Sequence, residues 1–329
     1  MGTRRYVITK ILQAFLTLVF ILAFNFFLFR VMPGDPAALL LRGSSAFNPD
    51  NVEQVREDLG LDAPLPAQFA TYLGDMATLN FGESFFLQGQ PVIEVIANGL
   101  WPTVLLVGAS TAASAVIGLA IGIRGGWRRG STFDVGSLGA TLVLYSMPEF
   151  WFGMLVLMAF AGGVGPFPAL FPVNGYSTIG QDYTGLQHVA DVLNHMVLPW
   201  LVLTLVYLGE FSLIMRSSLL DVLGDHFVHT ARAKGLLGKQ VLWRHAVPNA
   251  LLPTFTVVVL SLGFIFQGAI TVEFVFGWPG LGWLTVQAVD NQDFALLQGL
   301  FFLFSVGILI ANLAADLTYA HLDPRVRAQ

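Results

Sequence analysis

Four acidic residues, Glu149, Glu210, Glu273 and Asp316, lie within or near long apolar runs, together with Asn25, Gln267 and Asn312. An ionisable side chain at membrane depth faces protein or water, and such residues often mark pathways. A few carboxylates along a wet path can guide an ammonium group. Glu210, deepest in its run, is the first choice for that role, with Glu149, Glu273 and Gln267 as further candidates. Each also has a structural reading. Glu149 follows Pro148 and can bond backbone groups freed at a kink. Glu273 precedes "GWPGLG" and can hold that turn, and Asp316 nears the end of its run and can simply reach water. Gln267 and Asn25 suit interhelical hydrogen bonds.

Other chemistries find little support. The chain has no cysteine, which removes thiol catalysis, disulfides and thiolate metal sites. His226 and His229 stand three apart without a third ligand, and neither HExxH nor Gly-x-Ser-x-Gly occurs. The stretch "GLLGKQ" resembles a phosphate loop, but Ala233 and Gln240 occupy two of its required positions and no strand precedes it. Any ATP must therefore be hydrolysed on another chain, and no cofactor or metal is expected on this one. A net charge of −5 argues against nucleic acid as a partner.

The elements that must position these residues are membrane helices. Of 329 residues, 55% are hydrophobic and 11% charged, and the mean hydropathy is +0.69; a soluble domain carries about 25% charged residues. Six runs reach the roughly 20 residues that a spanning helix needs: 7–29, 101–123, 135–161, 196–215, 251–276 and 296–319. The first is expected to stay as a span, because its apolar run exceeds a signal peptide's and no small-residue cleavage site follows. Placing both termini in the cytoplasm puts Arg4, Arg5, Lys10, Arg124, Arg128, Arg129, Arg216, Arg232, Lys234, Lys239, Arg244, Arg325 and Arg327 inside. Only Arg30, Arg42 and Arg56 remain outside or at its border, and the reverse topology would invert this bias.

Between the spans, "NPDNVEQVREDLG" reads as a short outer helix capped by Asn48 or Asp50 and stopped at Gly60. Region 33–100 reads as a cap over the membrane domain, too poor in apolar residues for its own core. In the second span Pro102 suits a first helical turn, and Ser110, Ser114, Gly118 and Gly122 form a small-residue stripe that lets another helix approach. Pro148 is expected to kink the third span. Loop 162–195 should end in a short polar helix, and Trp278 and Trp283 are candidate interfacial anchors.

The segment "HTARAKGLLGKQVLWRHAVP", residues 229–248, carries four lysines and arginines, two histidines and no acid. Asp225 is placed to cap a helix 226–234, Lys234 to suit its C-terminal dipole, and Gly235 to stop it. Leu219, Leu223, Phe227 and Ala231 recur at spacing four and predict one apolar face. A helix this short is marginal alone, so it needs either a membrane surface or a protein groove. Its residues do not separate the two.

The spacing of this segment resembles the cytoplasmic signature EAA-x3-G-x9-I-x-LP of ABC-transporter permeases. The leading positions fall on His229, Thr230 and Ala231, the glycine on Gly235 and the final pair on Val247 and Pro248. His229 replaces the Glu, and His245 the Ile. "PGDP" (Pro33–Pro36), "LGLDAPLPAQF" (Leu59–Phe69), "FGES" (Phe81–Ser84), "RSSLLDVL" (Arg216–Leu223), "VEFVFGWPGLG" (Val272–Gly282) and "LDPRVR" (Leu322–Arg327) are similar to the dipeptide and oligopeptide permease branch. The resemblance implies an all-α integral membrane fold with six spans: 1–32 with the first, 33–100 extracytoplasmic, 101–319 the permease core with coupling segment 216–250, and a tail 320–329. It implies a transport subunit without chemistry of its own in the bacterial inner membrane. A second permease subunit, two ATPase subunits carrying ATP and Mg, and an extracytoplasmic binding protein delivering a peptide would complete the assembly. Asp225, Phe227, His229, Ala231, Arg232, Ala233, Lys234, Gly235 and Pro248 would form the ATPase-coupling element. His229 cannot make the ion pair of the usual Glu, which leaves coupling to packing and to Arg232 and Lys234.

The alternative is a stand-alone ion-coupled secondary transporter or channel. It predicts a self-sufficient pore, and the sparse acids and missing internal repeat weigh against it.

Overall fold

In the computed structural model, residues 3–31, 49–58, 61–87, 89–162 and 169–322 are described. The order is α1 (Thr3–Val31), α2 (Pro49–Asp58), α3 (Leu65–Thr78), a hairpin of β1 (Glu83–Ser84) and β2 (Gln90–Pro91), then α4 (Val92–Trp127), α5 (Thr132–Ser146), α6 (Glu149–Phe160) and α7 (Leu186–Leu223). After these come α8 (His226–Ala233), α9 (Gly238–Val241), a wide π turn (Leu242–Ala246), α10 (Val247–Phe264), a tight turn (Ile265–Gln267), α11 (Ile270–Val275), α12 (Leu281–Asp290) and α13 (Phe294–Leu322). Among the described residues five helices are long and apolar enough to span a membrane; the bent pair α5–α6 makes a sixth if taken as one span. Side chains such as Phe15, Phe20 and Val116 stand more than half exposed on these helices, a display that suits lipid rather than water.

The centre of the bundle is the contact of α4 with α7, and the small-residue stripe explains it. A Cβ added at Gly118 would lie 2.9 Å from the Leu208 carbonyl, and one at Gly122 2.6 Å from that of Ser212. The Ser110 and Ser114 hydroxyls are satisfied along the helix, by the carbonyls of Leu106 and Ser110. The stripe continues to Gly126, which packs on Leu219. Without bulk between them the two backbones approach closely, which maximises dispersion contacts in lipid. Gly209 repeats the device against Thr141 and Tyr145 of α5.

Several element boundaries differ from the sequence expectation. Pro102 lies inside α4 rather than in its first turn, because the helix begins at Val92. The polar helix and the fourth span form one helix, α7, with Pro199 buried within it. The third span does more than kink: α5 and α6 meet at 102°, since Met147 and Pro148 are both extended and no helix crosses them. The fifth span stops at Gln267, where Gly268 (φ +72) turns the chain into the separate helix α11.

α3 and the hairpin lean on the membrane helices. Phe26 of α1 meets Phe69 and Tyr72 of α3 at centroid distances of 5.2 and 5.5 Å, and Asn25 Nδ2 donates to the Tyr72 hydroxyl at 3.1 Å. Burial raises the pKa of the Tyr72 hydroxyl, and the Asn25 bond opposes the shift. Ser84 donates to Asp293 at 2.6 Å and fastens the hairpin to the start of α13, where the same carboxylate caps Leu296 N. Tyr72, Met76 and Phe81 share one buried cluster with Leu284, Leu297 and Leu300. The expected caps Asn48 and Gly60 fall outside the described residues.

Candidate functional site: a surface rod and a group of acids

The basic segment folds as a short rod rooted in the bundle. At its start, Asp225 is extended (φ −73, ψ 147) and its side chain makes no cap bond; its carbonyl receives Val228 N at 3.1 Å. At its end, Gly235 (φ +78) donates to Arg232 O at 2.9 Å and Leu236 N to Ala231 O at 3.4 Å. This pair of bonds is a Schellman closure, and glycine meets its left-handed position without a Cβ penalty. Val228 and Ala231 face inward with Val241, against Val222, Leu223 and Leu236.

The face of the rod corrects the periodicity reading. Phe227 is 40% exposed while Val228 is fully buried. The run through Leu219 and Leu223 breaks at Gly224–Asp225, and the new helix begins with its apolar side one residue later. Outward lie Phe227, His229, Arg232, Ala233, Lys234 and Gly235, with Asp225 exposed at the start.

The return path is equally firm. Met215 and Leu219 of α7 pack with Leu242, Ala246, Val247 and Ala250, so both ends of the segment are tied to long helices. Pro248 lies exposed in the first turn of α10. Having no N–H, proline strains an ordinary ladder, and the π turn immediately before it widens the helix there. Beside the root of the rod, Arg216 Nε and Nη2 reach Asp134 Oδ1 and Oδ2 at 2.6 and 2.9 Å. Gly130 N donates to the same carboxylate at 2.8 Å, and the Ser131 hydroxyl caps Asp134 N. Sequence reading missed this pair, although "Ser-x-x-Asp" at 131–134 is a helix-start signal.

The acidic candidates Glu149, Glu210 and Glu273 lie on α6, α7 and α11. Glu149 accepts from Thr271 Oγ1 at 3.4 Å and joins α6 to α11. Glu210 is half-exposed, and among the described residues no hydrogen bond or ion pair engages it. Gln267 is also half-exposed, at the break after α10.

Glu273 differs, and the pathway expectation for it gives way to the structural one. It is fully buried, accepts from Thr103 Oγ1 at 2.8 Å, and receives Gly282 N and Trp283 N at 2.7 and 3.2 Å. Thr103 in turn accepts Leu281 N at 2.7 Å. The clasp leaves no room at Gly280, where a Cβ would strike Thr103 and the Glu273 carboxyl. Trp278 is fully buried as well, donating Nε1 to Pro102 O at 2.9 Å, and so is not an interfacial anchor. Asp316 does not simply reach water: it pairs with Lys10 at 2.9 Å and ties α13 to α1.

The long apolar helices and the rod rooted between two of them give the chain the build of a multi-pass helical membrane protein. Residues 114–328 match the family described as "Binding-protein-dependent transport system inner membrane component", and residues 3–106 match its N-terminal counterpart; the chain belongs to this family. It is 34% identical over 322 residues to the "Probable peptide ABC transporter permease protein y4tP" of Sinorhizobium fredii, covering 98% of this chain and 99% of that one. It is 36% identical to the "Glutathione transport system permease protein GsiC" of Pectobacterium atrosepticum, with 98% of each covered. With the "Dipeptide transport system permease protein DppB" of Escherichia coli K12 it shares 33% identity over 94% of this chain and 95% of that one. The chain is thus a multi-pass permease subunit of an ABC importer that works with other subunits.

Proposed function

We propose that this chain forms half of the path by which an ATP-driven importer moves di- or oligopeptides across the bacterial inner membrane, with both termini in the cytoplasm. A second permease subunit completes the path, an extracytoplasmic binding protein delivers the peptide, and two cytoplasmic ATPase subunits hold ATP and Mg. The observation that carries the reading is the build of α8. Val228 and Ala231 root it, rigid packing links it to α7 and α10, and its cationic face with Arg232 and Lys234 is left open. A rod of this kind can pass a push from an ATPase groove into two spanning helices. A helix lying on lipid would have no such lever.

Glu210, Glu149 and Gln267 are assigned to the path. They are part-exposed on neighbouring elements, and carboxylates there suit the α-ammonium group that every free peptide carries. The peptide class is supported by the names of the relatives and by these acids together. Cysteines introduced at His229 and Lys234, cross-linked in native membranes, should form adducts with an ATPase subunit that ATP binding changes. Adducts with phospholipid alone would end the assignment.

A further inference from the structure

The basic end of α4 leaves a groove that the fold does not fill, with a cavity of about 420 Å³. Its floor is apolar, from Ala120 and Ile123 of α4 and Leu242 of the π turn. Two indoles, Trp127 and Trp243, and two guanidinium groups, Arg124 and Arg128, complete the lining. Trp243 is 53% exposed. Arg124 lies 4.5 Å over the Phe133 ring, which holds its charge near the rim. The adjacent carboxylate, Asp134, does not neutralise these cations, because Arg216 and Gly130 N occupy its two oxygens. Among the described residues no ion pair engages Arg124 or Arg128.

We propose that this groove seats an anionic phospholipid, its phosphodiester between Arg124 and Arg128 and its first acyl carbons on Ile123 and Leu242. Three features favour a lipid over a small soluble anion. The floor is apolar, the site lies at the end of a spanning helix, and paired indoles beside arginines are the composition of a membrane–water boundary. A polypeptide occupant would have to cover both indoles and bring its own acid to two unpaired guanidinium groups. The groove also borders the coupling segment, since a Cβ on Gly238 would sit 3.5 Å from Trp127 Cζ2. A bound lipid therefore braces the return path of the rod, a consequence that rests on the coupling assignment above; the lipid site itself does not.

The test uses the assembled transporter, purified into nanodiscs of phosphatidylcholine with a minor fraction of phosphatidylglycerol. Native mass spectrometry counts retained lipids, and a photo-reactive residue at position 243 reports what lies in the groove. Wild type should keep phosphatidylglycerol selectively, and the otherwise wild-type protein carrying the photo-reactive residue in place of Trp243 should label it. Arg124→Gln/Arg128→Gln should lower retention by about fivefold per cation removed, roughly thirtyfold for both. Arg124→Lys/Arg128→Lys should keep most of it, which separates loss of charge from misfolding. Unchanged retention in the double Gln variant would overturn the proposal, as would label at position 243 found on a neighbouring polypeptide. Displacement by millimolar inorganic phosphate would likewise overturn it, by exposing a plain anion pocket. ATPase cross-links through His229 are read separately, so failure of the lipid site leaves the coupling assignment standing.

Discussion

Arg216 and Asp134, 82 residues apart in sequence, form a two-pronged ion pair that joins α7 to the start of α5, with Asp134 only 3% exposed and Arg216 21%. The pair sits one turn from Leu219, the residue through which α7 grips the return path of the rod. Charge-assisted, bidentate pairs combine strength with fixed orientation, so this one sets where the lower end of α7 stands. Arg216→Gln should destabilise the purified subunit by about 2 kcal/mol, since a largely enclosed carboxylate is left unpaired. The double variant Arg216→Gln/Asp134→Asn should recover part of that loss. Thermal unfolding of the pair of variants in detergent checks it, and a double variant as unstable as the sum of the singles would show that the two residues act independently.

The Glu273 clasp is expected to be the least tolerant polar site in the chain. Glu273→Leu keeps much of the size but removes both acceptors, leaving the N–H groups of Gly282 and Trp283 without a partner. The cost should be roughly 3 kcal/mol, because two backbone donors are left unsatisfied where water cannot reach. The readout is yield of folded protein together with protease sensitivity of the 277–283 turn. Near wild-type yield and resistance would mean that the turn is held by packing alone.

Much of this architecture could be read from residues, and all but one of the failures share a cause. The long spans follow from runs of apolar residues that meet the thickness of a bilayer, and the close approach of α4 to α7 follows from a stripe of four small residues. Both are local patterns. Glu273 at the "GWPGLG" turn was one of two readings open to the sequence, because its glycines and proline announce a turn but not its partner. The fates of Trp278 and Arg216 depend on Pro102 O and Asp134, 176 and 82 residues away, and no periodicity carries that information. The 102° bend at Pro148 is of the same kind: proline ends the ladder, while neighbouring helices choose the angle. Phe227 was misplaced for the opposite reason, since spacing four was extended across a break at Gly224 that resets it.

Gly122→Leu should separate the two central helices. Even a Cβ there meets the Ser212 carbonyl at 2.6 Å and Met215 Cβ at 2.8 Å, so backbone rather than a flexible tip must move. Overpacking of this kind costs about 1–3 kcal/mol. Gly139→Leu on α5 is the matched control, as nothing lies within 4 Å of its Cβ position. Equal stability of the two variants would remove the stripe from the account of how α4 and α7 meet.

Replacing Ala231 by Phe should disconnect hydrolysis from movement of substrate. The side chain is 5% exposed and packs with Val228 and Val241, so a ring there must lift the rod off its root while leaving its cationic face intact. The assembled transporter in liposomes should then hydrolyse ATP while uptake falls at least tenfold. Uptake and hydrolysis declining in the same proportion would point to lost assembly instead, and full coupling would refute the role of the root.

Glu210 offers the sharpest test of the path. Unlike Glu273 it has no hydrogen-bonded partner among the described residues, and unlike Asp316 no cation pairs with it, so its charge is not spent on holding the fold. Glu210→Gln removes only that charge and should assemble normally. If the carboxylate meets the ammonium group of a passing peptide, uptake of peptides with a free N-terminus should drop severalfold. N-acetylated peptides, which lack that charge, should lose nothing further on the substitution. Binding-protein affinity differs between the two substrates, so the comparison is the mutant-to-wild-type ratio for each, measured at saturating delivery. A ratio near one for both would take Glu210 out of the path, and an equal fall for both would assign it to the mechanics of α7 rather than to contact with the cargo.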